Sequence, residues 1–298
     1  MTCLICKSSE VSSYFTTHFT GENAKFLDKS HYCRCKNCGF VFSKTVFEMS
    51  LEEWTKLNVS VHSHFEKMSK TNLDKRLGTI GANQPPYLAQ ASALNLLVKN
   101  GVINASPSID STGGGGGAGH RMIDYAGGIG SLARVLKDYY DIFLPVYEEY
   151  MDGLINDGRV FYIKKQDLKT YEVVLNSAML EHITRREHLE HINSLVKEDG
   201  ALILHTVVRQ NIPKDPNWFY ISPVHCAFHT NDSMQILMDD WGYTHSLYSP
   251  ISKSWVWFKK GHKYANDAAL ESFSDKINKE LQMKYFFYSR GFMGYWRD

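Results

Sequence analysis

Ile123-Asp124-Tyr125-Ala126-Gly127-Gly128-Ile129-Gly130 decides the fold of this chain. It closes a short apolar run, RMIDYA (121–126), and opens SLARVLKDYY (131–140), whose apolar residues recur at helical spacing. Small residues at a strand-to-helix turn let the backbone approach a ligand, and the helix N-terminus offers free N–H groups. Downstream, IFLPVY, VFYIKK, EVVLNS and ALILHTVV read as further strands. Helices intervene, including HLEHINSLVKEDG, which is predicted to end at Gly200. A helix, SMQILMDDWG, and the strands HSLYSP and SWVWFKK follow. This alternation predicts an α/β fold, a Rossmann-like, doubly wound sheet over residues 105–262. Residues 263–298 read as a helical or irregular tail.

Polar residues fall where the predicted strands end. Glu148 lies eighteen residues after Gly130, closing the second strand, where a carboxylate can take both hydroxyls of a ribose. Glu149 competes for that role. Asp167 follows the third strand, where it can accept from an adenine amino group, and Asn176 and Ser177 close the fourth. The G-x-G-x-x-G spacing of nicotinamide-binding domains is not met. Asp124-x-Ala126-x-Gly128-x-Gly130 instead resembles the first motif of class I S-adenosylmethionine methyltransferases, with Ala126 where glycine is usual. Val173–Ile183, which contains Leu180-Glu181-His182, is similar to that family's fourth-strand segment. The resemblance covers about residues 120–245. It implies S-adenosylmethionine as cofactor, with Gly128 and Gly130 facing its methionine part, Glu148 its ribose and Asp167 its adenine. Tyr87 is a weaker candidate for the methionine end, since a tyrosine there also suits the core.

Five of the six cysteines lie in the first 38 residues. Cys3-x-x-Cys6 and Cys35-x-x-Cys38 can each offer two thiolates from one tight turn, and together complete a tetrahedral site for structural Zn²⁺. Gly39 suits the knuckle turn. Cys33 is a fifth candidate ligand, and Cys226 reads as a buried thiol. Residues 1–45 are thus a zinc-binding module. Residues 46–104 read as a helical connector, in which Ser50 and Glu53 have capping-box spacing and Gly101 ends PPYLAQASALNLLVKNG. The five glycines within 105–120 read as a flexible surface loop, because no flanking strand and helix would make them a phosphate cradle.

Histidines gather at or after the strand ends: His182, His205, His225 and His229. Methyl transfer to a hydroxyl needs its proton removed, and histidine suits that role near neutral pH. His182 and His225 are the first candidates, His229 and His205 the next. Trp218 and Tyr220 could line a sugar pocket. A metal-assisted rival would use these histidines with Glu181 or Asp232. The zinc module joined to such a core resembles bacterial sugar methyltransferases with an N-terminal four-cysteine domain, including capsule heptose O-methyltransferases. That resemblance implies a nucleotide-linked sugar as substrate. An RNA methyltransferase with a zinc ribbon and a sugar C-methyltransferase are the alternatives.

The 298 residues carry 33 basic and 32 acidic side chains, a formal charge of +1, which argues against a nucleic-acid surface. No run of ~18 apolar residues predicts a membrane span. Clustered cysteines without a secretory leader point to the reducing cytoplasm.

Overall fold

The computed structural model describes residues 1–70, 85–105, 120–151 and 154–294. The pentaglycine segment lies outside them. The N-terminal part carries β1 (Val11–His18), β2 (Lys29–Cys35), β3 (Val41–Ser43), α1 (Lys44–Phe47) and α2 (Leu51–Lys70). The Ser50–Glu53 cap forms as expected: Ser50 N–H donates to Glu53 at 2.8 Å, and Glu53 N–H to Ser50 Oγ at 3.2 Å. Then come α3 (Tyr87–Lys99), β4 (Met122–Tyr125), α4 (Ser131–Tyr140), β5 (Val146–Tyr147), β6 (Tyr171–Ser177), α5 (Arg186–Ser194) and β7 (Val196–His205). The chain continues through β8 (Val208–Arg209), β9 (Ala227–Thr230), α6 (Asn231–Asp240), β10 (Tyr243–Ser249), β11 (Ser254–Lys259), α7 (Asp267–Glu280) and β12 (Phe287–Arg290).

A seven-stranded sheet runs in the order β12-β10-β11-β7-β6-β4-β5. β5, β4, β6 and β7 are parallel, and β11, β10 and β12 join antiparallel. A parallel bridge from Val146 to Tyr162 extends the β5 edge. The strands between are apolar on both faces, as a sheet covered on both sides requires. Met122, Val173, Leu175 and Ile203 pack with Leu94 and Leu97 of α3, Leu132 and Leu136 of α4, and Phe273 of α7. Ile123, Val174, Leu202 and Leu204 pack on the other face with Leu189 of α5 and Met234 and Leu237 of α6. The order of connections reverses at β4, so the end of β4 is the switch point where ligands of such sheets bind.

Several expected elements differ. The helix read to Gly200 ends at Ser194, and the strand begins at Val196. Gly200 lies inside that strand, where a Cβ would stand 2.7 Å from the Glu172 carbonyl oxygen, so close backbone approach explains the glycine. IFLPVY forms a named strand only at Val146–Tyr147, beginning just after Pro145, which has no N–H to donate to a ladder, and Phe143 makes an isolated bridge. VFYIKK contributes only the bridge at Tyr162.

The boundaries read from sequence also shift. α3, placed in the connector, is part of the core on the sheet, and the 263–298 segment supplies α7 and the edge strand β12. The cysteine module is not a separate body. Its sheet continues β1-β2-β3 into β9 and β8, with Val41 opposite Phe228 and Phe42 opposite Ala227. No helix among the described residues is long and apolar enough to cross a membrane.

Candidate active site and metal centre

β4 delivers the glycine turn. Ala126, Gly128 and Gly130 all take positive φ, at 61°, 57° and 73°. Glycine holds such angles freely, whereas Ala126 holds one at a cost of about 1 kcal/mol or more. Gly128 N–H donates to Glu148 Oε2 at 3.0 Å, and Tyr150 N–H to Glu148 Oε1 at 2.8 Å, which fixes that carboxylate beside the turn. Burial pushes Glu148 above the usual carboxylate range. Glu149 is exposed and paired with Lys165. Geometry therefore separates the two neighbouring acids. Asp167 sits exposed in a 3-10 turn, Lys165–Asp167, beyond the Tyr162 bridge.

Asp124 and Asn176 close adjacent strands, each with a buried oxygen, Oδ1, that has no partner. The Asn176 amide nitrogen donates to the Tyr125 carbonyl at 3.2 Å. Ser177 exchanges hydrogen bonds with Gln90 on α3 at 3.1 and 3.2 Å, one turn beyond Tyr87. Two unfilled acceptors, a fixed carboxylate and a glycine turn at one switch point suit a ligand carrying ammonium and hydroxyl donors.

Burial, then the Glu148 charge, pushes Asp124 up to about 7. A carboxyl whose folded pKa is raised favours the fold below its unfolded pKa, and that contribution is lost as pH rises through about 7. Asp124→Asn should therefore make the cofactor-free protein more stable at pH 8, by on the order of 4 kcal/mol. It should do little at pH 4. Urea unfolding at both pH values checks this; equal effects at both would contradict it.

A second group forms after β6. The 3-10 turn Leu180–His182 buries Glu181, whose carboxylate accepts from Tyr220 OH at 2.5 Å and Thr206 Oγ1 at 3.0 Å. Burial raises the Glu181 pKa. The next residue, His182, meets the His225 ring edge-on, with centroids 4.9 Å apart. Ligand atoms of Glu181, His182 and His225 all lie within 4.8 Å of one another. His225 Nδ1 donates to the Tyr220 carbonyl at 2.7 Å, so Nε2 carries the free lone pair. Burial draws His225 down to about 4, and burial with the neighbouring histidines draws His182 well below the usual range. Both rings are neutral at pH 7.

Sequence reading missed His62 of α2, whose ring stands 5.1 Å from that of His182. No motif marks it; only the tertiary placement of α2 brings it in. His205 is committed to the Lys253 carbonyl at 2.6 Å. His229 does not join the group: its ring is buried in β9 against Phe40, 5.1 Å away. Trp218 and Tyr220 pack with Tyr32, Val41 and Phe228 in the core of the smaller sheet, so they are not open pocket walls. Cys226 is buried, with its thiol directed at the Glu181 carbonyl, 3.5 Å away.

The four N-terminal cysteines converge. Cys3 and Cys38 sulfurs are 3.6 Å apart, Cys6 and Cys35 sulfurs 3.5 Å, and all four lie within 4.8 Å. A tetrahedral zinc–thiolate site with bonds of about 2.3 Å has sulfur–sulfur edges of about 3.8 Å. Ile5 N–H points at Cys3 Sγ, 3.4 Å away, and Gly39 takes φ 69° in the second knuckle. Hydrogen bonding from Cys38 draws the Cys3 thiol down to about 5 and pushes Cys38 up. Cys33 lies outside the cluster. These four side chains fit a metal ion without rearrangement.

The "Methyltransferase domain" family matches residues 91–246, more than half of the chain, and the chain belongs to that family. It is similar to the plantazolicin methyltransferase BpumL solved in complex with SAH, at 12% identity over 73% of this chain and 98% of that one, TM-score 0.45. It is also similar to an O-methyltransferase family protein from Burkholderia thailandensis, at 16% identity over 72% of this chain and 74% of that one, TM-score 0.37. No curated protein matches the sequence.

Proposed function

We propose that the chain is an S-adenosylmethionine-dependent methyltransferase that methylates a hydroxyl of a nucleotide-linked sugar, such as a heptose, with His225 as general base. The observation that carries this reading is the His225 ring. Its Nδ1 proton is tied to the Tyr220 carbonyl, so a neutral Nε2 lone pair is presented beside His182 at the end of β6. S-adenosylmethionine, when bound, supplies a sulfonium methyl. Glu148 would hold its ribose, Asp124 and Asn176 its methionine end, with Gly128, Gly130 and Ala126 giving close approach and Tyr87 and Ser177 bordering from α3 and β6. Asp167 would read the adenine. His225 Nε2 accepts the hydroxyl proton as the oxygen attacks, and His182 orients the acceptor. The ring gains its positive charge as the sulfonium charge is consumed, so the pocket holds a constant net charge. Cys3, Cys6, Cys35 and Cys38 would hold a structural Zn²⁺.

The cofactor half is tested by calorimetry. Glu148→Ala should weaken S-adenosylmethionine binding by about 1.5–3 kcal/mol, the value of hydrogen bonds to a charged acceptor. Unchanged affinity would remove Glu148 from the ribose. The acceptor half is tested by assaying a panel of nucleotide sugars for methyl incorporation. Methylation of RNA and of no sugar would overturn it.

A further inference from the structure

A buried base must shed the proton it has taken before it can act again. His225 is enclosed by Tyr220, whose ring centroid is 4.5 Å away, by His182 and by the buried Glu181. The Glu181 carboxylate is occupied by Tyr220 and Thr206. The Nδ1 edge of His225 is blocked by the Tyr220 carbonyl. The way out therefore starts at Nε2. Three imidazoles stand in file from there: His225 to His182 at 4.9 Å between centroids, and His182 to His62 at 5.1 Å. The Nδ1 atom of His182 is buried and has no partner. His62, at the far end, is exposed. Rings this close can pass a proton between their nitrogens directly or through one bridging water. The file runs from the closed base to solvent.

We propose that His62 is the outer member of a histidine proton relay, carrying the proton of the reaction from His225 through His182 to solvent. The inference rests on the histidine-base reading above. In each cycle His225 Nε2 takes a proton from the acceptor hydroxyl and passes it to His182. His182 passes it to His62, His62 releases it to water, and all three rings return to the neutral form. No electron transfer or further reactant is involved. The chemical role of His62 is thus one of proton transfer, and it touches neither acceptor nor cofactor. It also gives α2, an element of the N-terminal half, a task in the catalytic cycle.

The relay can be tested without any acceptor, which separates its failure from failure of the sugar assignment. With Nδ1 tied to the Tyr220 carbonyl, the His225 ring gains and loses its second proton at Nε2. The full chain, labelled with ¹⁵N-histidine, is examined by NMR relaxation dispersion for the rate at which His225 Nε2 exchanges between its neutral and protonated forms in dilute buffer. In His62→Ala that exchange should slow by about tenfold or more, while S-adenosylmethionine affinity stays at the wild-type value. Adding imidazole at tens of millimolar should restore the rate, because a small diffusible base can replace the missing outer ring. An unchanged exchange rate in His62→Ala would overturn the relay, as would a slowed rate that imidazole leaves untouched. A second divalent ion per chain, beyond one held by the cysteines and lost in His182→Ala, would also overturn it, because ligated rings have no lone pair with which to pass a proton.

Discussion

His225→Ala should lower turnover by about 10²–10⁴-fold, the range lost when a general base is removed, while S-adenosylmethionine affinity changes little. The separation follows from the fold. The proposed cofactor residues sit on β4, the turn after it, the ends of β5 and β6 and the start of α3, with Asp167 beyond the Tyr162 bridge, whereas His225 lies in the segment leading to β9. That segment is held from three sides. Cys226 N–H donates to the Glu181 carbonyl at 2.8 Å, Ser43 N–H to the Cys226 carbonyl at 2.8 Å, and Tyr32 OH to the His225 carbonyl at 3.3 Å. These contacts involve backbone atoms of 225 and 226 and survive removal of the imidazole, so the variant should fold, losing the lone pair and the Nδ1 bond to the Tyr220 carbonyl. His182→Ala should cost less than His225→Ala, because it removes an orienting ring and not the acceptor of the first proton. Single-turnover kinetics with each variant, alongside calorimetry, checks the order. Near-wild-type turnover in His225→Ala would end its assignment as base.

Cys38→Ser should be the most destabilising of the changes considered. Structural zinc contributes about 10–16 kcal/mol of folding free energy in small zinc peptides, comparable with the whole stability of an ordinary domain. Cys38 is fully buried beside Cys3. Its carbonyl also accepts from Thr230 Oγ1, the residue that caps α6. Phe40 and Phe42, which follow it, belong to the same core as Leu204 and Met234. Loss of the knuckle should therefore release β3 from β9 and loosen the His225 segment along with the N-terminal sheet. The expected results are loss of about one zinc per chain and a melting transition lowered by ten degrees or more. Faster amide exchange through residues 226–230 should accompany them. Wild-type metal content and melting temperature in Cys38→Ser would show that these thiols hold no structural ion.

The central sheet was legible because parallel strands and their helices leave strong periodic signals, and the turn at Ala126–Gly130 has few alternatives. The cysteine cluster was legible from spacing alone, since two C-x-x-C pairs can meet only if the chain between them returns, as β1 and β2 make it do. Other features depended on contacts that no local pattern encodes. Nothing in the spacing of RREHLEHINSLVKEDG (185–200) distinguishes the helix end at Ser194 from one at Gly200; the glycine is needed for its approach to β6, not for a cap. Trp218 and Tyr220 resembled pocket walls because aromatic side chains suit both a sugar face and a core, and here the core claims them. His229 and His225 are four residues apart, yet only His225 meets His182 in ring contact. His62 was invisible for the opposite reason, since 120 residues separate it from His182 and only the docking of α2 brings them together.

The account is tested most directly by supplying the purified protein with S-adenosylmethionine carrying a labelled methyl group and a panel of nucleotide sugars, and following the label. The prediction is a methyl ether on the sugar of one acceptor, formed catalytically and lost in His225→Ala. If the protein binds the cofactor with Glu148 but places the label on carbon, or on RNA, or on no sugar in a panel that includes nucleotide heptoses, the proposed reaction is contradicted.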